Sequence, residues 1–335
     1  MSNRENWIDI AKGLSIILVV IGHSGHLEVN HFLAWFRMPF FFFVSGLIFK
    51  YAGDFNYKAW SRIQMQKLLI PYASYGILFI LSFLVFHPSI DYLLHTSIQF
   101  LYGGKILEGA HLVFWFITCL LLTRLFFGYV LRYTLAIQVS CIGGGYVLAH
   151  LLAACFPDMA FPLNMDVALV TAAYFAAGYY CKTWIKKWMA DWKVLLVCFL
   201  ISSTFLALDY FGVFIFQLDL KYRIFHHIFL DLIIPLSFVL LLLSVCVRIA
   251  SHGLFGWISR LGVRTVTIMY LHVPVNMFIA MLFDLRYGVI PYTIIGIGIP
   301  LLIGVLFQKS SILSFLFLAR LTKSQAVRKK EPFVS

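Results

Sequence analysis

The sequence predicts an all-α, polytopic membrane protein: about ten transmembrane helices in one bundle, with both termini in the cytoplasm. Three observations carry this expectation. Of 335 residues 62% are hydrophobic and 12% charged, with a mean hydropathy of +0.91, which is more apolar surface than one water-soluble core of this length would hide. Apolar runs near the ~20 residues needed to cross ~30 Å of hydrocarbon recur along the chain. Lipid offers the backbone no hydrogen bonds, so runs of that length must be helices, and they lack the alternation of ~10-residue barrel strands.

The helices are expected at 8–23, 33–49, 68–86, 112–131, 135–155, 167–185, 193–213, 228–247, 266–283 and 289–307. The first run follows only a few polar residues and has no small-residue cleavage site after its apolar stretch. It is expected to be a retained helix with no soluble domain before it. Charge placement is the third observation. With the N-terminus inside, 21 of the 26 Lys and Arg residues fall on inward segments, and only Arg37, Lys105, Lys221, Arg223 and Arg286 fall outward. The net charge of +12 thus reads as positive-inside bias, and nucleic acid is not an expected partner. Residues 87–111 form the longest outward loop, whose apolar stretch 92–101 is too short to span and is expected at the interface. The chain divides into a membrane domain over 1–320 and a basic cytoplasmic tail over 321–335 carrying Arg328, Lys329 and Lys330. The cysteines at 119, 141, 155, 181, 198 and 246 form no CxxC pair, so neither disulfides nor zinc are expected, and buried thiols are. No HxxxH or HExxH spacing suggests a metal, and no Walker or GxGxxG loop is present. Gly143 to Gly145 reads as a packing element.

The chemistry concentrates in the first helix. Lys12 and His23 are eleven residues apart, close to three turns, so they share a face about 16 Å apart along the axis, with Asp9 on nearly the same face. Each alone has a plainer reading, Lys12 as a snorkelling anchor and His23 as a helix-end polar residue. Together they mark a functional face, and a neutral histidine can take a proton from a hydroxyl near physiological pH, as O-acylation of a sugar requires. Arg37 opens a run through Phe40, Phe41, Phe42 and Phe43 to Ser45 and Gly46; it reads as an anchor or as a group orienting substrate near His23. Arg62 and Lys67 read as inward charges or, with Lys12, as phosphate ligands for a nucleotide-bearing donor. Trp115 reads as an interface anchor or a stacking platform for a sugar ring. His111 and Glu108 read as plain loop residues, Asp231 as a buried partner of another polar group, and His272 as a polar packing residue near Pro274.

The Asp9/Lys12/x10/His23 pattern, Met38-Pro-x-Phe-Phe-Phe-x-Ser-Gly46, the basic approach to Pro71-Tyr72 and Phe114-Trp115-Phe116 resemble the membrane acyltransferase 3 family, in its fucose 4-O-acetylase-like branch. Further similarity lies in Pro162-Leu-Asn-Met-Asp166, Tyr174-Phe-Ala-Ala-Gly178, Leu261-Gly262 and Tyr270-Leu271-His272. The resemblance implies ten core helices in the bacterial cytoplasmic (inner) membrane and transfer of an acyl group, usually acetyl, from cytoplasmic acetyl-CoA to an extracytoplasmic carbohydrate or glycolipid hydroxyl. Acyl-CoA is then a donor substrate, and no tightly bound cofactor is expected. The family's arginine-x10-histidine motif maps onto Lys12 and His23, making His23 the expected catalytic residue, with Lys12 and Asp9 beside it. Lysine keeps the charge but loses the bidentate fork, and of the family's paired arginines at the third helix only Arg62 and Lys67 remain. A transporter or exporter of a glycan or lipid-linked substrate is the alternative, since intramembrane charges and kinked helices serve transport as well. A non-catalytic membrane scaffold is third.

Overall fold

The computed structural model describes residues 6–50, 56–86, 88–253, 255–284 and 287–318. The basic tail 321–335, Arg4 and Arg286 lie outside them. The described helices are α1 (Asn6–Gly22), α2 (Leu27–Leu47), α3 (Tyr57–Leu84), α4 (Ile90–Tyr102), α5 (Trp115–Val130), α6 (Leu135–Cys155), α7 (Met165–Tyr180), α8 (Lys182–Trp188), α9 (Trp192–Tyr210), α10 (Leu230–Ser251), α11 (Gly256–Val263), α12 (Thr265–Phe283), α13 (Val289–Gln308) and α14 (Ser311–Leu318). Among the described residues there is no strand, only an isolated bridge between Asp219 and Ile224.

Each of the ten expected segments overlaps a helix, although 167–185 spans parts of two. Seven stretches are long and apolar enough to cross a membrane: α3, Gly109–Val130 (which includes α5), α6, α9, α10, α12 and α13. Their burial sorts them into layers. The apolar window of α9 is 11% buried, that of α13 17% and that of α6 28%, so these present large apolar side chains outward, as a lipid-facing ring would. Gly109–Val130 is 72% buried and belongs to the centre, with α1 and α2, which carry long buried faces.

Several expected boundaries move. Helix α3 begins at Tyr57 rather than near 68, because Asn56 caps it by accepting the Ala59 N–H at 3.0 Å. Lys58, Arg62 and Lys67 therefore stand on a helix, not in a loop; hydropathy marks where apolar surface stops, whereas capping marks where the helix stops. Helix α2 likewise starts at Leu27 instead of 33. The segment 167–185 divides at Cys181, whose φ −80°, ψ 2° ends α7 before α8 begins. The stretch 92–101 lies in α4, capped by Ser89, with only Thr96 and Phe100 buried. All six cysteines are free, but only Cys119, Cys198 and Cys246 are buried. Cys141, Cys155 and Cys181 are exposed, the first two on the weakly buried α6.

Two glycine crossings hold the central helices together. A methyl group on Gly46 of α2 would lie 1.9 Å from the Phe175 carbonyl of α7, and one on Gly262 of α11 would lie 1.8 Å from the Asp9 carbonyl of α1. Such close backbone approach replaces hydrophobic driving force with dispersion contact, which is what association within lipid relies on. The triplet Gly143–Gly145 does not share this role: only Gly145 meets a neighbour, Leu169. The strongest polar clamp is Arg223, which lies 2.5 Å from Asp166 and donates to the carbonyls of Leu152, Phe156 and Met159 at the end of α6. It binds the connection between α9 and α10 onto α6 and α7. Asp231 finds its expected partner in His150, at 3.1 Å.

Candidate active site

Helix α1 carries Lys12 near its middle and leads into His23 just beyond its last residue, and each lines a separate cavity. The His23 cavity, about 170 Å³, is bordered by Asn30, Arg37, Met38, Trp115, Asp219 and Lys221, among others. The Lys12 cavity, about 140 Å³, is bordered mainly by apolar groups, including Phe41, Val44, Phe116, Leu120 and Met269, with Ser45. Along α2 the linings change from Met38 to Phe41, less than a turn, and along α5 from Trp115 to Phe116. Phe41 and Phe116, with ring centroids 5.5 Å apart, stand at the partition.

At His23, geometry fixes the tautomer. Its Nδ1 lies 2.8 Å from the Val19 carbonyl oxygen, which can only accept, so Nδ1 carries the hydrogen. His272 repeats the pattern: its Nδ1 donates to the Ile268 carbonyl at 2.8 Å, which leaves its Nε2 an acceptor 3.3 Å from His23 Nδ1. The His23 N–H is thus shared between Val19 and His272, and His23 Nε2 keeps the lone pair. The two rings are tilted at 59° with centroids 5.1 Å apart. Helix α13 packs beside His272, since a methyl on Gly296 would lie 3.4 Å from the His272 Cβ and closer still to Asn276 and Val20. The His23 ring is oriented by its contacts to Val19 and His272.

The roof of the His23 cavity is the turn at 219–224. Asp219 Oδ1 accepts the backbone N–H groups of Lys221 at 2.9 Å and Tyr222 at 3.2 Å, and Arg223 takes a positive φ of 64° next to the Asp219–Ile224 bridge. The Arg223 clamp anchors that turn. Lys221 Nζ donates to the Leu107 carbonyl at 2.6 Å. Burial lowers Lys221 to about 8, against the opposing pull of Asp219 and Glu108; burial also raises the Asp219 carboxyl, resisted by the Tyr222 N–H and by Arg37.

The expected site residues separate clearly. His23, Arg37 and Trp115 converge on one cavity. Trp115 is buried there and is no surface anchor. Lys12 lines the other cavity and pairs with Asp9 at 3.4 Å. Asp9 is buried at the α11 crossing. Arg62 is exposed, and neither it nor Lys67 borders the Lys12 cavity, although Leu68 does. His111 is buried, with Nε2 against the Gly76 carbonyl, so it is not a plain loop residue. No group of three or more His, Cys, Asp or Glu suited to a metal occurs among the described residues. Sequence reasoning missed the partnership of His272 with His23 and the roof formed by Asp219 and Lys221. An intramembrane histidine beside a proline was the available signal for the first; nothing in spacing signals the second.

No individually curated protein and no solved structure matches the chain significantly. Residues 5–309, in contrast, match the acyltransferase domain that defines the acyltransferase 3 family. Seven helical stretches long and apolar enough to cross a membrane are in keeping with that match, and the chain belongs to the acyltransferase 3 family of membrane acyltransferases.

Proposed function

We propose that the protein moves an acyl group, acetyl in the simplest case, from acyl-CoA held at the Lys12 end to a hydroxyl of a carbohydrate or glycolipid held at the His23 end. The observation that carries this reading is His23 itself: its Nδ1–H is engaged, so the nitrogen left to accept a proton belongs to a ring that lines a cavity. The acceptor hydroxyl gives its proton to His23 Nε2 while its oxygen attacks the thioester carbonyl. Collapse of the tetrahedral adduct breaks the carbon–sulfur bond, and the CoA sulfur takes the proton back from the imidazolium. An ester and free CoA result, with His23 regenerated. The Nδ1–H contacts to Val19 and His272 hold the ring in the tautomer whose Nε2 is left to accept the proton.

The Lys12 cavity suits the donor. Its apolar lining matches an acyl-bearing arm, and Lys12, with Arg62 and Lys67 further out on α3, supplies cations for the phosphates. Phe41 and Phe116 then form the partition the thioester must pass. Arg37 and Trp115 attend the acceptor. With the N-terminal end of α1 cytoplasmic, as the positive-inside pattern favours, the donor would come from the cytoplasm of a bacterial inner membrane and the acceptor from outside it. The alternative of glycan transport is disfavoured by the family match. His23→Ala protein, purified and shown to be membrane-inserted, should lose acyl transfer; wild-type turnover in that variant would sink the scheme.

A further inference from the structure

We infer that the acceptor carries an anionic group, a carboxylate or a phosphate, bound by Arg37 and Lys221 beside the sugar hydroxyl that reacts. The inference rests on the proposed function only for the assignment of the His23 cavity to the acceptor. Its basis is the way this chain uses its outward cations. Lys105 donates to the carbonyls of Pro157 and Asp158, and Arg223 is consumed by Asp166 and three further carbonyls. Arg37 and Lys221 instead line one cavity together, where Asp219 is the carboxylate among the bordering residues. Two cations face one anion.

Arg37 is the less compensated of the two. It is 7% exposed, and its Nε and Nη1 have no hydrogen-bond partner. Asp219 attracts it through space, but Oδ1 of that carboxylate is occupied by the N–H groups of its own turn. Gly22 shows how the guanidinium is seated: a methyl group there would meet Arg37 Nη1, so only glycine leaves room for it at the end of α1. A buried guanidinium with idle N–H groups is costly unless an anion completes it, and arginine matches carboxylate and phosphate geometry better than any other side chain. Lys221 has one ammonium hydrogen beyond its contacts to the Leu107 carbonyl and the Tyr222 hydroxyl. The remaining walls suit a ring: Trp115 offers an aromatic face, with Met38 and Leu112 beside it. A volume of about 170 Å³ holds five or six waters at ~30 Å³ each, the scale of one monosaccharide residue.

The test uses the full-length protein in nanodiscs and three probes of one size class: glucose, glucuronate and glucose 1-phosphate. Binding is measured by titration calorimetry at pH 7, for wild type, Arg37→Gln, Arg37→Lys and Lys221→Gln. At least one anionic probe is expected to bind about tenfold or more tightly than glucose, the equivalent of one added charged contact. The tighter of the two identifies the carboxylate or the phosphate. That preference should fall to within about twofold in Arg37→Gln, persist in part in Arg37→Lys and weaken in Lys221→Gln. Glucose binding as tightly as both anions in wild type overturns the inference, whatever the variants do. So does an anion preference that survives undiminished in folded Arg37→Gln or in folded Lys221→Gln. Because His23→Ala should keep the preference, the two proposals fail separately: anion preference without acyl transfer removes the function, and His23-dependent transfer without anion preference removes only this inference.

Discussion

The cavities at His23 and at Lys12 stand on the same face of α1, and their linings differ in kind. One gathers two cations, a carboxylate, an asparagine and a histidine under an anchored polar turn; the other is walled by Phe41, Val44, Phe116, Leu120 and Met269, with a single cation. The contrast teaches where each kind of work is possible. A proton transfer needs fixed polar groups of defined tautomer, and only the His23 end provides them. An acyl chain needs an apolar channel without competing hydrogen bonds, and only the Lys12 end provides that.

Substitutions can break this division at either end. The largest effect is expected for His23→Ala, which should lower kcat for acyl transfer by about 10²–10⁴-fold, the range of general-base contributions, while donor binding measured by equilibrium dialysis stays unchanged. Asp166→Asn should come next. It leaves Arg223 buried without its carboxylate, costing about 3–5 kcal/mol, and should appear as early loss of the native fold in thermal unfolding, with the 219–224 turn opening first in hydrogen exchange. His272→Leu removes one of the two acceptors for the His23 N–H, leaving the Val19 carbonyl, and should lower kcat about tenfold with KM for donor unchanged; His272→Gln, which keeps a carbonyl acceptor, should recover most of it.

The Lys12 end is sharpened by Ser45→Phe, which fills the apolar cavity. It should raise the donor KM about tenfold or more and leave glucuronate binding at His23 unaffected, which calorimetry can check. Smallest is the pH response of the roof. Lys221, lowered to about 8, is cationic below that pH and neutral above it, facing Asp219, Tyr222, Glu108 and, across the cavity, Arg37 and His23. Glucuronate affinity should therefore fall about threefold as pH rises from about 7 to 9, and Lys221→Gln should abolish the step.

The same division explains what could be read from the chain alone. Helices betray themselves through apolar length and period, so helical segments were legible at the ten expected places, seven of them in stretches long and apolar enough to cross a membrane, because such signals depend on local spacing. Helix starts set by caps, such as Asn56 before α3, lie outside the apolar run and were not. His272 is 249 positions from its partner His23, and Lys221 sits in a turn whose location depends on the Arg223–Asp166 clamp. Contacts of that kind are made by tertiary packing and have no period to detect. Arg37 was legible as a charge near His23; that two of its nitrogens lack partners was not.

The most direct test of the account is transfer across a sealed proteoliposome with labelled acetyl-CoA on one face and methyl glucuronide or a neutral methyl glucoside on the other. The account predicts acetylated acceptor only when donor meets the Lys12 end and acceptor the His23 end, with transfer lost in His23→Ala. Equal transfer with donor and acceptor on the same His23 face, or transfer that persists without His23, would contradict it.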